Sequence, residues 1–148
     1  MRLFWAALLA LAVGGGCTVP RWPVEGPMSS AYGVRWRGWL PDVHRGVDLA
    51  VPAGTAIQAM AGGRVRFAGF QGDYGNVVWI DHGGSVLTVY AHLSALEVET
   101  GQAVSTGEQI GRSGSSGNAS GPHLHFEVWR WGRQVDPVPL LGSRPDGS

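Results

Sequence analysis

The chain has 148 residues, one domain's worth and enough for a core of its own. Its 11 Lys and Arg balance its 11 Asp and Glu, so there is no net field to draw in a polyanion and no nucleic-acid partner is expected. The 24 glycines and 9 prolines point to short strands and tight turns and away from long helices.

The N-terminus reads as an address. Arg2 precedes an apolar stretch over residues 3–13 that is too short to span a bilayer, and small residues follow it. That is the layout of an export signal, assigned to residues 1–16. The single cysteine, Cys17, follows Gly14-Gly15-Gly16 and has no partner for an internal disulfide. Its placement resembles the lipidated cysteine of a lipoprotein signal, although Gly14 stands where such signals usually carry leucine. Residues 17–26, with Pro20 and Pro23, are expected to be a short tether to the membrane. Residues 27–141 make the folded domain and 142–148 a polar tail.

Within the domain, a Gly-x-x-Val/Ile pattern recurs at residues 54–57, 62–65, 101–104 and 107–110. Glycine permits the positive φ of a turn and the β-branched residue suits a strand start, so each predicts a turn followed by a strand. Further strands are predicted at 77–80, 85–90 and 125–130, with Asp81-His82-Gly83-Gly84 as the hairpin loop between the first two. Asn76 reads as a turn residue and His82 as a structural loop histidine. No segment has the apolar period of a long amphipathic helix. Composition and pattern alone thus give an all-β single domain.

Chemistry-bearing residues fall into three clusters: His44-Arg45-Gly46-Val47-Asp48, Tyr90-Ala91-His92-Leu93, and His123-Leu124-His125-Phe126-Glu127-Val128. In a strand, alternate side chains share a face, so His123, His125 and Glu127 would lie on one side while Leu124, Phe126 and Val128 enter the core. Two imidazoles and one carboxylate form an open zinc set that leaves a position for water. The same set also suits iron in an oxygenase. Glu127 is read as a strand-edge charge, its alternative being a carboxylate that orients an imidazole. Trp36 and Trp39 flank the loop before His44, and Trp129 and Trp131 follow the His-x-His strand; rim packing is the plainer reading, and contact with a sugar or peptide the sharper one.

Taken in order, His-x-x-x-Asp, His-Leu after a strand, and His-x-His resemble the lysostaphin-type (LytM-domain) zinc metallopeptidases of bacterial cell walls. The likeness extends through Asp48–Thr55, Tyr74–Val78 and Gly101–Gly111, and covers roughly residues 29–137. It implies an antiparallel β-sheet framework of the duplicated hybrid motif type. It also implies one Zn2+ per chain held by His44, Asp48 and His125, with His92 and His123 as catalytic histidines that hold no metal. A free imidazole, with a pKa of about 6.5, suits either proton-transfer task, and the sequence does not say which histidine is the base. The two extra histidines favour hydrolysis over iron chemistry. The implied activity is cleavage of peptide cross-links or stem peptides of peptidoglycan by an exported envelope protein, lipid-anchored at Cys17. A second implied class is a non-enzymatic LytM-domain regulator that activates cell-wall amidases; the filled ligand and catalytic positions weigh against it.

Overall fold

The computed structural model describes residues 19–142, so the export signal and Cys17 lie outside the described residues, as does most of the polar tail. In chain order the strands are β1 (Met28–Ser30), β2 (Gly33–Arg37), β3 (Leu40–His44), β4 (Val47–Leu49), β5 (Ala56–Gln58), β6 (Gly63–Gln71), β7 (Gly75–Asp81), β8 (Val86–Leu96), β9 (Ala103–Val104), β10 (Gln109–Ser113), β11 (Leu124–Arg130) and β12 (Arg133–Val135). One helical turn, α1 (Val138–Leu141), closes the described chain. No helix among the described residues is long and apolar enough to cross a membrane.

Among the described residues, ten strands form one antiparallel sheet whose main path runs β1-β4-β11-β8-β7-β6-β9. Strand β10 pairs with β5 and with the far end of β8, and β12 pairs with β11. The remaining two strands, β2 and β3, form a separate hairpin. This is an all-β single domain. All four Gly-x-x-Val/Ile segments lead into strands, namely β5, β6, β9 and β10.

The two faces of the sheet differ. Leu124, Phe126 and Val128 of β11 are wholly buried with Leu49, Ile57, Ile80, Tyr90, Leu93 and Ile110 in the main core. On the other face a smaller cluster of Val77, Val89 and Ala91 is roofed by Tyr74, Trp79 and Trp129. Part of the stretch read as a tether lies against the main core: Val24 is buried in it. The Arg21 N–H donates to the Met60 carbonyl and the Gln58 N–H to the Pro23 carbonyl.

Two sequence readings change. Asn76 is not in the turn; it is the second residue of β7, where its side chain donates to the Leu93 carbonyl at 3.1 Å. The turn itself precedes it, at Gly72–Tyr74, and Gly75 (φ +66) ends it. A Cβ on Gly75 would come within 2.4 Å of the Ser116 backbone, so only glycine lets this turn and the 114–120 loop meet. The segment around Trp36 and Trp39 is a hairpin, with Gly38-Trp39 as its two-residue loop; its solvent-facing aromatics hid the alternation that marks a strand.

His82 does hold structure. Its Nδ1–H donates to the Gly62 carbonyl at 2.8 Å, and its Nε2 accepts from the Thr88 hydroxyl at 2.7 Å. Thr88 in turn shares a hydrogen bond with the buried Tyr90 hydroxyl, which accepts from the Met60 N–H. Burial depresses the His82 pKa, with Gly62 and Asp81 opposing it only in part. As pH falls, the unfolded chain takes up this proton first. The contribution is therefore complete above about pH 6.5 and is lost as pH falls toward the depressed value. His82→Ala is expected to lower stability at pH 7.5 by about 1–2 kcal/mol, and by less at pH 5, in urea unfolding. Equal losses at both pH values would contradict this account.

Candidate active site

Strand pairing assembles the site. Strand β11 lies between β4 and β8, with His125 directly opposite Asp48 on one side and Ala91 on the other. His44 ends β3, and the turn through Arg45 and Gly46 carries the chain into β4. A Cβ on Gly46 would fall within 2.5 Å of the Phe126 carbonyl and 2.9 Å of the His125 ring. Glycine between His44 and Asp48 is thus what lets this turn lie flat on β11.

His92 reaches the same place by a distortion. Across β7 and β8, Asn76 faces Leu93 and Val78 faces Tyr90, so Ala91 and His92 together oppose Val77. His92 has φ +61, the left-handed region that a non-glycine residue seldom adopts. This bulge interrupts the alternation of β8 and aims the imidazole at the groove, a strain of the kind stored at functional sites. Its Nδ1–H donates to the Ser116 carbonyl at 2.8 Å. Ser116 is itself fixed, its Oγ donating to the Leu93 carbonyl and accepting from the Asn76 N–H. His123 makes an isolated bridge to Gly114 and donates from Nδ1 to the Gly121 carbonyl at 2.8 Å.

All five residues singled out in the sequence line one groove of about 350 Å³. His44 Nε2, Asp48 Oδ1 and His125 Nδ1 converge, at 3.2 Å (His44–Asp48), 3.3 Å (His44–His125) and 2.8 Å (His125–Asp48). They are the one group of this kind among the described residues that could hold a metal. Tetrahedral zinc with bonds of about 2.0 Å spaces its ligand atoms about 3.3 Å apart. Two of the three separations meet that value, and the third is a hydrogen bond that an ion would open slightly. His123 Nε2 lies 3.7 Å from Asp48 Oδ1, and the His92 and His123 ring centroids are 4.8 Å apart.

The outer atoms of these rings are equally determined. His44 donates from Nδ1 to the Ala31 carbonyl at 2.9 Å, with Ser30 Oγ at 3.2 Å, which leaves Nε2 facing inward. His125 donates from Nε2 to Glu127 Oε1 at 2.9 Å. Glu127 therefore is not a strand-edge charge. It is 2% exposed, and it also accepts from the Tyr74 hydroxyl at 2.9 Å and the Trp129 indole at 2.7 Å. The two-residue step from His125 was the signal for it, since the two share a strand face. Tyr74 and the carbonyls of Ala31, Ser116 and Gly121 carried no comparable signal in the sequence.

Charge follows geometry. Burial opposes ionisation of Asp48, but hydrogen bonds from His125 and His44 outweigh it and hold the carboxyl far below the usual range. Burial works against a charged His125, yet Asp48 and Glu127 on either side raise its pKa to about 9. Glu127 is likewise desolvated and still held low by His125, Trp129 and Tyr74. Burial lowers the pKa of His92, so its imidazole is neutral at neutral pH. Paired carboxylates gripping an imidazole this way raise its basicity toward a cation.

Replacing Glu127 tests that grip. Glu127→Gln retains the shape, but its amide cannot accept from His125, Tyr74 and Trp129 together. Zinc affinity is expected to fall by about 10–100-fold in chelator competition, the usual scale for losing such a partner. An unchanged affinity would mean that Glu127 serves packing alone.

Comparisons with known proteins agree with this geometry. Residues 42–137 match the sequence profile of Peptidase family M23. The chain is 43% identical over 121 residues to the DD-carboxypeptidase/endopeptidase Mpg of Neisseria meningitidis, covering 80% of this chain and 28% of that one. It is 37% identical over 132 residues to the murein hydrolase activator EnvC of Escherichia coli K12, covering 86% and 31%. The chain thus spans under a third of the length of either relative. Among solved structures, a zinc-containing peptidase of Vibrio cholerae superposes with TM-score 0.74 at 30% identity, over 86% of this chain and 40% of that one. The catalytic domain of the antimicrobial peptidase lysostaphin of Staphylococcus simulans superposes with TM-score 0.72 at 33% identity, over 80% and 93%. With its profile, its fold and its His-Asp-His cluster in agreement, the chain belongs to Peptidase family M23.

Proposed function

We propose that this chain is a zinc-dependent endopeptidase that hydrolyses peptide cross-links or stem peptides of bacterial peptidoglycan. The observation that carries the reading is the convergence of three ligand atoms at near-tetrahedral separations with two further imidazoles turned toward them. His44, Asp48 and His125 would hold one Zn2+. Such an ion supplies a Lewis acid for the scissile carbonyl and lowers the pKa of a bound water to about 7.

The chain's own residues do the rest. The turned-out Nδ1–H groups of His92 and His123 leave each Nε2 directed into the groove. His92, kept neutral by burial, is ready to accept a proton. Between them the two imidazoles take the proton from the attacking nucleophile and return it to the leaving amine. Glu127, with Tyr74 and Trp129 behind it, holds the His125 ring against rotation. We place the protein outside the cytoplasm, exported by residues 1–16 and lipid-anchored at Cys17. Support comes from that N-terminal pattern and from relatives named for peptidoglycan and murein.

A second reading has its own support in the 37% identity to a murein hydrolase activator. Digestion of purified peptidoglycan, with and without zinc, separates the two. Zinc-dependent release of peptide fragments is expected, with His44→Ala and His123→Ala each lowering the rate by about 100-fold or more. Product masses identify the bond. A chain that binds one zinc, cuts nothing and stimulates a cell-wall amidase would instead be the regulator. A chain that binds no zinc would sink the peptidase reading.

A further inference from the structure

The β2–β3 hairpin brings two guanidinium groups to the groove, and the chemistry above uses neither. Arg35 and Arg37 are two residues apart on one strand, so they share a face of the hairpin with Asp42 and His44. Both reach the same oxygen: Arg35 Nε lies 2.9 Å from Asp42 Oδ2, and Arg37 Nε 3.2 Å. Arg35 is committed at its other end as well, donating from Nη1 to Ser30 Oγ at 2.7 Å. That hydroxyl is 3.2 Å from His44 Nδ1, so the pair stands two hydrogen bonds from a residue of the metal cluster.

Arg37 differs from Arg35. Its side chain is 69% exposed, and among the described residues its one ion pair runs through Nε, which leaves both Nη groups without a protein partner. One carboxylate cannot neutralise two guanidiniums, so a positive charge remains at this end of the groove. Among the described residues, neither of the groove's other carboxylates, Asp48 and Asp73, forms an ion pair with Arg37. Asp48 belongs to the His44–His125 cluster, and Asp73 comes from the separate Gly72–Tyr74 turn. A guanidinium with two parallel free donors is matched to a carboxylate, which it binds through a planar pair of hydrogen bonds.

The chemistry of the cell-wall peptide supplies that carboxylate. In a D,D-linkage, the nitrogen released by hydrolysis sits on a carbon that also bears a free carboxylate. In a glycine bridge the same position continues into a neutral peptide unit. We propose that Arg37, aligned by Asp42 beside Arg35, binds the free carboxylate on the leaving-amine side of the scissile bond and so selects D,D-linked peptides over neutral glycine bridges. The proposal rests on the peptidase reading and assigns it a specificity-determining residue.

Two synthetic cross-linked peptide dimers, identical except that this carboxylate is free in one and a carboxamide in the other, test it on the full zinc-loaded chain. The wild type is expected to favour the free acid by about tenfold or more in kcat/KM, the scale of a charge-assisted hydrogen bond. Arg37→Gln should erase the preference, chiefly through KM on the free acid, and leave the carboxamide within about twofold of the wild type. Arg37→Lys, which retains charge without the planar fork, should retain part of it. Equal use of the two dimers by the wild type overturns the proposal, as does an equal loss on both in Arg37→Gln. If neither dimer is cut, the peptidase reading fails separately, and calorimetry on the same samples gives their Kd values. Binding of the free acid about tenfold tighter, with the difference lost in Arg37→Gln, then upholds the role of Arg37. Equal affinities, or no binding of either, overturn it.

Discussion

Everything at the site depends on the position of β11 between β4 and β8. That register sets His125 opposite Asp48 on one side and Ala91 on the other. Side chains alternate along a strand, so a slip of one residue would exchange His125 and Glu127 for Phe126 and Val128. The slip is blocked from the far face. Leu124, Phe126 and Val128 are wholly buried in the main core, and turning them toward the groove would forfeit roughly 2 kcal/mol for each large apolar side chain. Core burial on one side of the strand therefore fixes chemistry on the other.

A second constraint acts on the rings themselves. His44, His92 and His123 each donate Nδ1–H to a backbone carbonyl, while His125 donates Nε2–H to Glu127. The inner nitrogen differs, Nδ1 for His125 and Nε2 for the rest, but the logic is shared. An outward hydrogen bond fixes ring orientation, so each inner nitrogen is directed inward before any ligand arrives. The carbonyls that do this belong to loops that are themselves locked. Ser116, for example, is held by Leu93, Asn76 and the close approach of Gly75. The left-handed His92 is tolerated because these contacts over-determine it.

How far this was legible in the sequence follows from where each signal resides. Ordered spacing carried the five site residues, and alternation carried the strands that hold them, because both are periodic along the chain. Glycine punctuation located β5, β6, β9 and β10, since a turn that needs positive φ writes itself as a residue type. The burial of Glu127 was not legible because its partners carry no signal of it: Tyr74 comes from the distant Gly72–Tyr74 turn, and Trp129, two residues along β11, reads as rim packing. A charge reads as exposed until three donors are found around it. Asn76 failed for a similar reason: its role is to hold a bulge in β8, and a bulge leaves no periodic trace. The β2–β3 hairpin escaped because neither of its faces enters a core, so its alternation divides charged from exposed apolar residues.

That hairpin is held differently from the rest of the framework. Two strands alone are marginal in water, and this pair buries no apolar face: Val34, Trp36 and Val43 are all exposed. Its polar face holds it instead. Arg35 ties Asp42 across the strands and Ser30 on β1, and the hairpin ends at His44, which is buried and anchored to Ala31. The rigid sheet thus fixes the reactive groups, while the hairpin can vary its side chains without disturbing the core, as loops on a scaffold do. Under the proposed role of Arg37, a change there would alter what the groove accepts. Arg35, by contrast, contacts Ser30, which contacts His44, so under the same proposal a change there would touch the support of the metal cluster as well as the charge at the groove.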